Sequence, residues 1–199
     1  MLMINELSGF GSKVLGVVAT TTWNPSDKGV GVTLSGGNLE VTSSVNDKGV
    51  RAIASASSGL KYYEALITVG VTSMQIGLAN SSYPLTNWLG DSTNSVGYSA
   101  AGPVYRDGVI ATIATYTIGD TICIAADLSN SRIWLRVNSG NWNNSGTADP
   151  VTNVGGIDIS AISGPIFPAC SASGTTRKWT ANFGGSAYAQ SVPTGYGNW

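Results

Sequence analysis

Eleven carboxylates are the residues of this chain that could do acid–base chemistry, because the sequence holds no histidine. Without imidazole the commonest general base and the commonest metal ligand are both missing, which excludes Ser-His-Asp, Cys-His and histidine-based zinc chemistry. Glycoside hydrolysis needs only two carboxyl groups, ~5–9.5 Å apart across a cleft. No two acids fall at i, i+2 or i, i+4 on one strand, and most sit in turns, where Asp bonds its own backbone. Glu64 and Asp127 lie in or at the end of core strands and read as hydrogen-bonded structural carboxylates. Cys123 and Cys170 are too few for a thiolate zinc site and read as small buried apolar residues, with a single disulfide left open. There is no phosphate-cradling GK[ST] loop and no acidic cluster pointing to calcium. The expectation is no catalytic residue, no cofactor, no metal and no enzyme activity.

What remains is an inventory for recognition. Tyr83, Trp88, Tyr105, Arg106, Trp142, Asn143 and Asn144 fall in or beside two long loops, 80–94 and 141–156. Aromatic rings beside amides suit sugars, whose C–H faces stack on a ring while their hydroxyls take directional hydrogen bonds. The same set would serve a protein hot spot. For each Trp alone, plugging an end of the fold is at least as good an account. Trp134, between Arg132 and Arg136, faces away from Ile133 and Leu135 and must cover either a second layer or a partner, with cation–π contact open to it.

The elements that hold these residues are strands. In 121–128, Ile122, Ile124, Ala126 and Leu128 alternate with Cys123, Ala125 and Asp127; in 132–137, Ile133, Leu135 and Val137 alternate with the flanking arginines and Trp134. A three-residue polar link joins them, so they form an antiparallel hairpin with one buried face. Lys61 to Val69 carries apolar residues on both sides and reads as a central strand. Further short strands recur every 8–12 residues or so, with turn residues between them, which is the pattern of a sandwich. Asn24-Pro25-Ser26-Asp27 reads as a turn, and Ser35-Gly36-Gly37-Asn38 as a hairpin turn. The expected fold is all-β: a single two-sheet antiparallel β-sandwich.

Composition narrows the setting. Charged residues make up 11% of the chain, against roughly 25% in an average globular protein, so hydroxyls and amides must keep the surface polar. A net charge of −1 gives no field for nucleic acid. The longest apolar run near the start, Val14 to Ala19, is far short of the ~20 residues that span a bilayer, and Glu6 ahead of a single Lys13 makes a poor secretory signal. Membrane insertion is therefore not expected.

Several segments together resemble the SPRY domain, a concanavalin A-like jelly-roll sandwich. They are SSGLKYYEALITV (57–69), MQIGLAN (74–80), SVGYSAAGPVYRDG (95–108), the hairpin at 119–142, GPIFPACSAS (164–173) and ANFGGSAYAQSVPTGY (181–196). Their order and spacing carry the likeness. TWNPSDKGVGVTLSGGNLEVTSS (22–44) and SGTADPVTNVGGIDIS (145–160) are similar to the bacterial and bacteriophage branch. The resemblance implies a non-enzymatic binding scaffold and, in the phage branch, a virion component such as a capsid decoration protein, fibre or neck appendage. Its implied partners are other virion proteins, further copies of itself, and a host-surface glycan or protein. It implies assembly in the bacterial cytoplasm and residence in the virion. A free lectin-like or protein-binding module is the alternative. Residues 23–199 cover the family's domain, so 1–22 are read as an N-terminal extension. Leu7, Phe10, Val14 and Leu15 within it are expected to dock on a partner, although an extra strand across the sandwich is the plainer reading.

Overall fold

A computed structural model describes residues 21–44, 46, 48–174 and 176–199. The docking residues Leu7, Phe10, Val14 and Leu15 lie outside the described residues. In chain order the strands are β1 (Trp23–Lys28), β2 (Val32–Ser35), β3 (Glu40–Ser43), β4 (Lys48–Ala52) and β5 (Leu60–Val69). There follow β6 (Met74–Ala79), β7 (Ser95–Ser99), β8 (Pro103–Tyr105), β9 (Val109–Thr112) and β10 (Thr121–Asp127). The last are β11 (Arg132–Val137), β12 (Ile157–Asp158), β13 (Phe167–Ala172), β14 (Arg177–Asn182) and β15 (Gly197–Asn198), with a 3-10 turn at Trp142–Asn144. Among the described residues, no helix is long and apolar enough to cross a membrane.

Two sheets stack face to face, as the alternation requires. One has seven strands in the order β1-β4-β13-β6-β7-β8-β9; the other has eight, in the order β12-β11-β10-β5-β14-β3-β2, with the short β15 laid parallel on β5. The hairpin that organises the second sheet pairs Asp127 with Arg132 and Ile124 with Leu135, the register set by its alternating pattern and tight link. Ile122, Ile124, Ile133 and Leu135 point inward and meet Ile76, Leu78, Val96 and Tyr98 of the facing sheet. Each such side chain, fully buried, contributes about 1.5–3 kcal/mol. One end of the core is closed by rings: Phe183 packs edge-on against Trp23 at 5.0 Å, and Tyr63 lies between Phe183 and Trp199.

Two expectations change. The β10–β11 hairpin is buried on both faces, not one. Cys123, Ala125 and Trp134 turn outward into a second apolar cluster with Tyr62, Trp142 and Tyr196. The 141–156 loop and the closing segment 186–196 fold back over the outer face of the sheet and form this third layer, before the chain re-enters the sheet as β15. Trp134 is therefore covered by its own chain, its Nε1–H donating to Val154 O at 2.8 Å. Asn24 to Asp27 are also part of β1, not a free turn. β1 is an edge strand whose register slips between Trp23 and Lys28, and an edge or bulge is where a strand tolerates Pro25. The turn chemistry survives locally, since Asn24 Oδ1 accepts Ser26 N–H at 2.9 Å.

Candidate functional site

The outer face of the seven-stranded sheet carries the site. Inward Ile76 and Leu78 on β6 send Gln75 and Gly77 outward, and inward Val96 and Tyr98 on β7 send Gly97 and Ser99 outward. The 80–94 loop lies across this face because Gly97 has no side chain: a Cβ there would meet Leu89 O at 2.1 Å. The loop is pinned from below, Leu89 N–H donating to Ser171 Oγ at 2.7 Å and Gly90 N–H to Ser95 Oγ at 2.8 Å.

Tyr83, expected to face a ligand, is buried beneath this loop. Its hydroxyl donates to Asn87 O at 2.6 Å, and its carbonyl accepts Arg51 Nη1 at 2.6 Å. Arg51 also forms a two-pronged ion pair with Asp27, at 2.7 and 2.9 Å. The ring is part of the loop's foundation because a loop that folds back on its own sheet supplies its own small core, here Tyr83, Leu89, Ala79 and Ala169.

Trp88 stands half-buried at the margin of that loop, edge to face with Tyr105 of β8 at 5.0 Å and an interplanar angle of 82°. The two rings wall a cleft of about 560 Å³. Gln75 and Ser99 contribute to its lining, with the turn residues Val71–Ser73 and Ala100–Ala101 and with Tyr116. Tyr116 is held in place by its hydroxyl, which donates to Met74 O at 3.1 Å or Tyr98 O at 3.2 Å, and burial keeps that phenol protonated well above its usual range. Among the described residues, no Asp, Glu, Lys, Arg or Cys lines the cleft.

The remaining predicted residues lie elsewhere. Arg106 turns away to Asp158 of the other sheet, donating to its carbonyl at 2.6 Å and pairing with its carboxylate at 3.4 Å. Arg132 reaches the same carboxylate at 3.2 Å, so Asp158 ties the two sheets together at this corner. Partial burial would raise the Asp158 carboxyl, but hydrogen bonds from Ser160 and the Arg106 guanidinium outweigh it and hold it below the usual carboxylate range. Trp142, Asn143 and Asn144 belong to the third layer. Trp142 is buried beneath Arg136, whose guanidinium carbon sits 4.2 Å from the ring centroid. Asn143 is bonded into the β11 backbone. Asn144 is exposed at a left-handed position with φ of 53°. Trp88 and Tyr105 are thus brought together, and the other five are dispersed.

Gln75 and Ser99 were missed as site residues because each sits inside a strand. No local signal marked them, since a polar side chain at the outward position of a strand is what a solvent-facing sheet ordinarily carries. The buried carboxylates have structural work. Glu64 accepts hydrogen bonds from Tyr62 Oη at 2.7 Å, Ala189 N at 2.8 Å and Gln190 N at 2.9 Å, fastening the closing segment. Asp127 accepts both the backbone and the side-chain amide of Asn130 in the hairpin turn. Cys123 and Cys170 are free and buried, on β10 and β13 of opposite sheets. Among the described residues, no group of three or more Asp, Glu, Cys or His side chains is placed to hold a metal ion.

A family model described as the SPRY domain matches residues 60–186. The chain belongs to the SPRY family. Similar solved structures share the fold of this SPRY domain. The SPRY domain of human HERC1 superposes with a TM-score of 0.65 at 15% identity, over 80% of this chain and 96% of that one. The TRIM65 PSpry domain gives 0.62 at 14% identity, over 82% and 92%. Stonustoxin gives 0.61 at 13% identity, over 82% of this chain and 27% of the toxin. No curated protein matches the sequence. At these identities the likeness concerns the sandwich alone, and the binding chemistry of this SPRY domain has to be read from its own cleft.

Proposed function

We propose that this SPRY-type binding domain is a non-enzymatic recognition module whose ligand seats in the Trp88–Tyr105 cleft. The observation that carries this is the make-up of the cleft: two aromatic walls, an amide and hydroxyls, and, among the described residues, no carboxylate, thiol or cationic group. Such a lining binds and orients, but it offers no nucleophile and no acid–base pair. The test uses the full chain and preparations of bacterial envelope. The wild type is retained, and Trp88→Ala is not, at an unchanged unfolding midpoint. Turnover of the bound material that disappears on removing one carboxylate would replace this reading with a glycosidase.

The setting we infer is a phage particle, with the domain displayed for host-surface or inter-subunit contact. Two features support it: the likeness of segments 22–44 and 145–160 to the phage branch, and a charged fraction of 11% that leaves little repulsion between packed copies. Residues 1–22 are the anchor on this reading. Removing them leaves a folded domain that no longer joins particles. Undiminished incorporation, followed by mass spectrometry of purified particles, would defeat the anchor. Absence of the chain from particles altogether would leave the free lectin-like or protein-binding module.

A further inference from the structure

The polar floor of the cleft names the class of ligand, an inference that rests on the cleft being the recognition site. Gln75 and Ser99 are direct cross-strand partners on β6 and β7. Ser171 Oγ accepts Leu89 N–H at 2.7 Å and donates its own O–H to Gln75 Oε1 at 3.0 Å. That relay fixes which way the Gln75 amide points. Its Nε2 hydrogens have no partner among the described residues, and neither has the hydroxyl of Ser99, a residue only 8% exposed. These groups open onto the cleft with their hydrogen-bonding capacity unspent within the protein, so a ligand's oxygens can meet them there. Trp88 Nε1 and Tyr105 Oη, on the walls, are likewise without a protein partner among the described residues.

Three features of this arrangement select among ligands. Among the described residues the lining carries no ionic side chain, and the Arg177 guanidinium beside it is engaged by Thr72 O at 2.8 Å and Thr72 Oγ1 at 2.6 Å, so the cleft is built for an uncharged group. The rings offer a flat apolar surface. The main chain beneath is already in use, because β6 pairs with β13 and β7 on its two sides, and β7 with β6 and β8. An extended peptide needs partners for its own N–H and C=O groups, which the edge of a sheet supplies and the face of a sheet does not. A sugar needs a ring to stack on and side-chain groups to meet its hydroxyls, and the cleft offers both. Its volume also falls within the range of about 300–1,000 Å³ usual for small-molecule sites.

We propose that the cleft binds a neutral saccharide. The C–H face of a pyranose stacks on the Trp88–Tyr105 wall, its oxygens accept from Gln75 Nε2, and a hydroxyl exchanges hydrogen bonds with Ser99.

The test presents the full chain to an array of neutral and acidic oligosaccharides and, in parallel, to an array of extended peptides. A neutral oligosaccharide is bound, and Trp88→Ala and Gln75→Glu each weaken it about tenfold or more. Gln75→Glu keeps the acceptor for Ser171 while replacing the two donors, so it separates the binding role from the packing role. Its unfolding midpoint, and that of Trp88→Ala, stay at the wild-type value. Asn144→Ala, exposed in the third layer over the other sheet, binds as the wild type does. Peptide binding that is lost in Trp88→Ala, with no saccharide bound, overturns the saccharide and leaves the cleft standing. Saccharide binding indifferent to both Trp88→Ala and Gln75→Glu overturns the saccharide proposal and the cleft together. A preference for acidic sugars, or silence across every saccharide, also overturns the proposal.

Discussion

Asn143 Oδ1 accepts the backbone N–H of Leu135 at 2.9 Å, so a loop side chain completes the hydrogen bonding of β11 where strand pairing runs out. The Asn143 Nδ2 group donates back to Ile133 O at 3.4 Å and across the loop to Gly155 O at 2.8 Å. The residue holds φ at 48°, a left-handed conformation that Asn tolerates better than most. Asn143 is therefore a clasp between the third layer and the eight-stranded sheet. Asn143→Ala loses the clasp and keeps the backbone strain, and we expect a loss of about 2–3 kcal/mol in urea unfolding. Hydrogen exchange should quicken in 141–156 and stay slow in β6 and β7. A loss below about 0.5 kcal/mol would mean that water replaces these bonds without cost.

Gly97 links the fold to the cleft in the same direct way. A methyl group there would lie 2.1 Å from Leu89 O, so Gly97→Ala must lift the 80–94 loop off the sheet. Trp88 then loses its place against Tyr105. Overpacking of this kind typically costs about 1–3 kcal/mol. The sharper readout is Trp88 fluorescence, which should shift towards that of an exposed indole while the hairpin amides of β10 and β11 keep their protection. An unchanged emission spectrum would show that the loop is not seated through this glycine.

Burial governs the two thiols. Cys170 receives Trp179 Nε1–H at 3.0 Å inside the core, and desolvation pushes its thiol well above the ordinary value. Burial also raises the Cys123 thiol, against the pull of Tyr62 and Arg136. A raised thiol is a poor nucleophile. In the native protein neither cysteine should react with Ellman's reagent over hours, and both should react at once in denaturant without prior reduction. Rapid labelling of the native protein, or two thiols missing from the unfolded count, would contradict the placement of Cys123 and Cys170 in opposite sheets.

The sequence made the inner sandwich legible because period-two alternation is a local signal. Ile122, Ile124, Ile133 and Leu135 can face only one way together, and the short link at 129–131 leaves one register for them. The outer coverings were not legible, since a loop's destination is decided by surfaces far away in the chain. Nothing around Tyr83 shows that its own loop will bury it, and nothing around Trp142 shows that Arg136 will cap it. Asn143 looked like a ligand amide because a clasp and a binding group use the same chemistry. The cleft floor was half-visible: MQIGLA places Gln75 opposite Ile76, yet only the pairing of β6 with β7 brings Ser99 beside it. The pocket is a product of topology, and its walls come from a loop and from β8.

The buried tyrosines set the response to alkali. Tyr63 and Tyr116 lie wholly inside, and Tyr62, Tyr83, Tyr98, Tyr188 and Tyr196 are largely shielded; in each, burial is the main force holding the phenol proton above its usual value. In the unfolded chain the same phenols ionise near pH ~10. Their contribution to stability is fully present below that pH and is lost as pH rises from there towards the folded values, because the unfolded chain then binds fewer protons than the native one. On the acid side the sign reverses. Hydrogen bonds from Lys178 and Ser35 lower the Glu40 carboxyl, so what it contributes is present above the ordinary Glu value and is lost as pH falls through the folded one. Urea midpoints should therefore hold level across neutral pH and drop above pH ~10. Tyrosinate absorbance should rise in one cooperative step that coincides with loss of near-ultraviolet dichroism. Tyr63→Phe, which removes the hydroxyl bonded to Gly77 O at 2.5 Å, should soften the alkaline fall while lowering stability at neutral pH by about 1 kcal/mol. If the phenols instead titrate smoothly near pH ~10 in a protein that stays folded, the rings are not shut away from water as the sandwich requires.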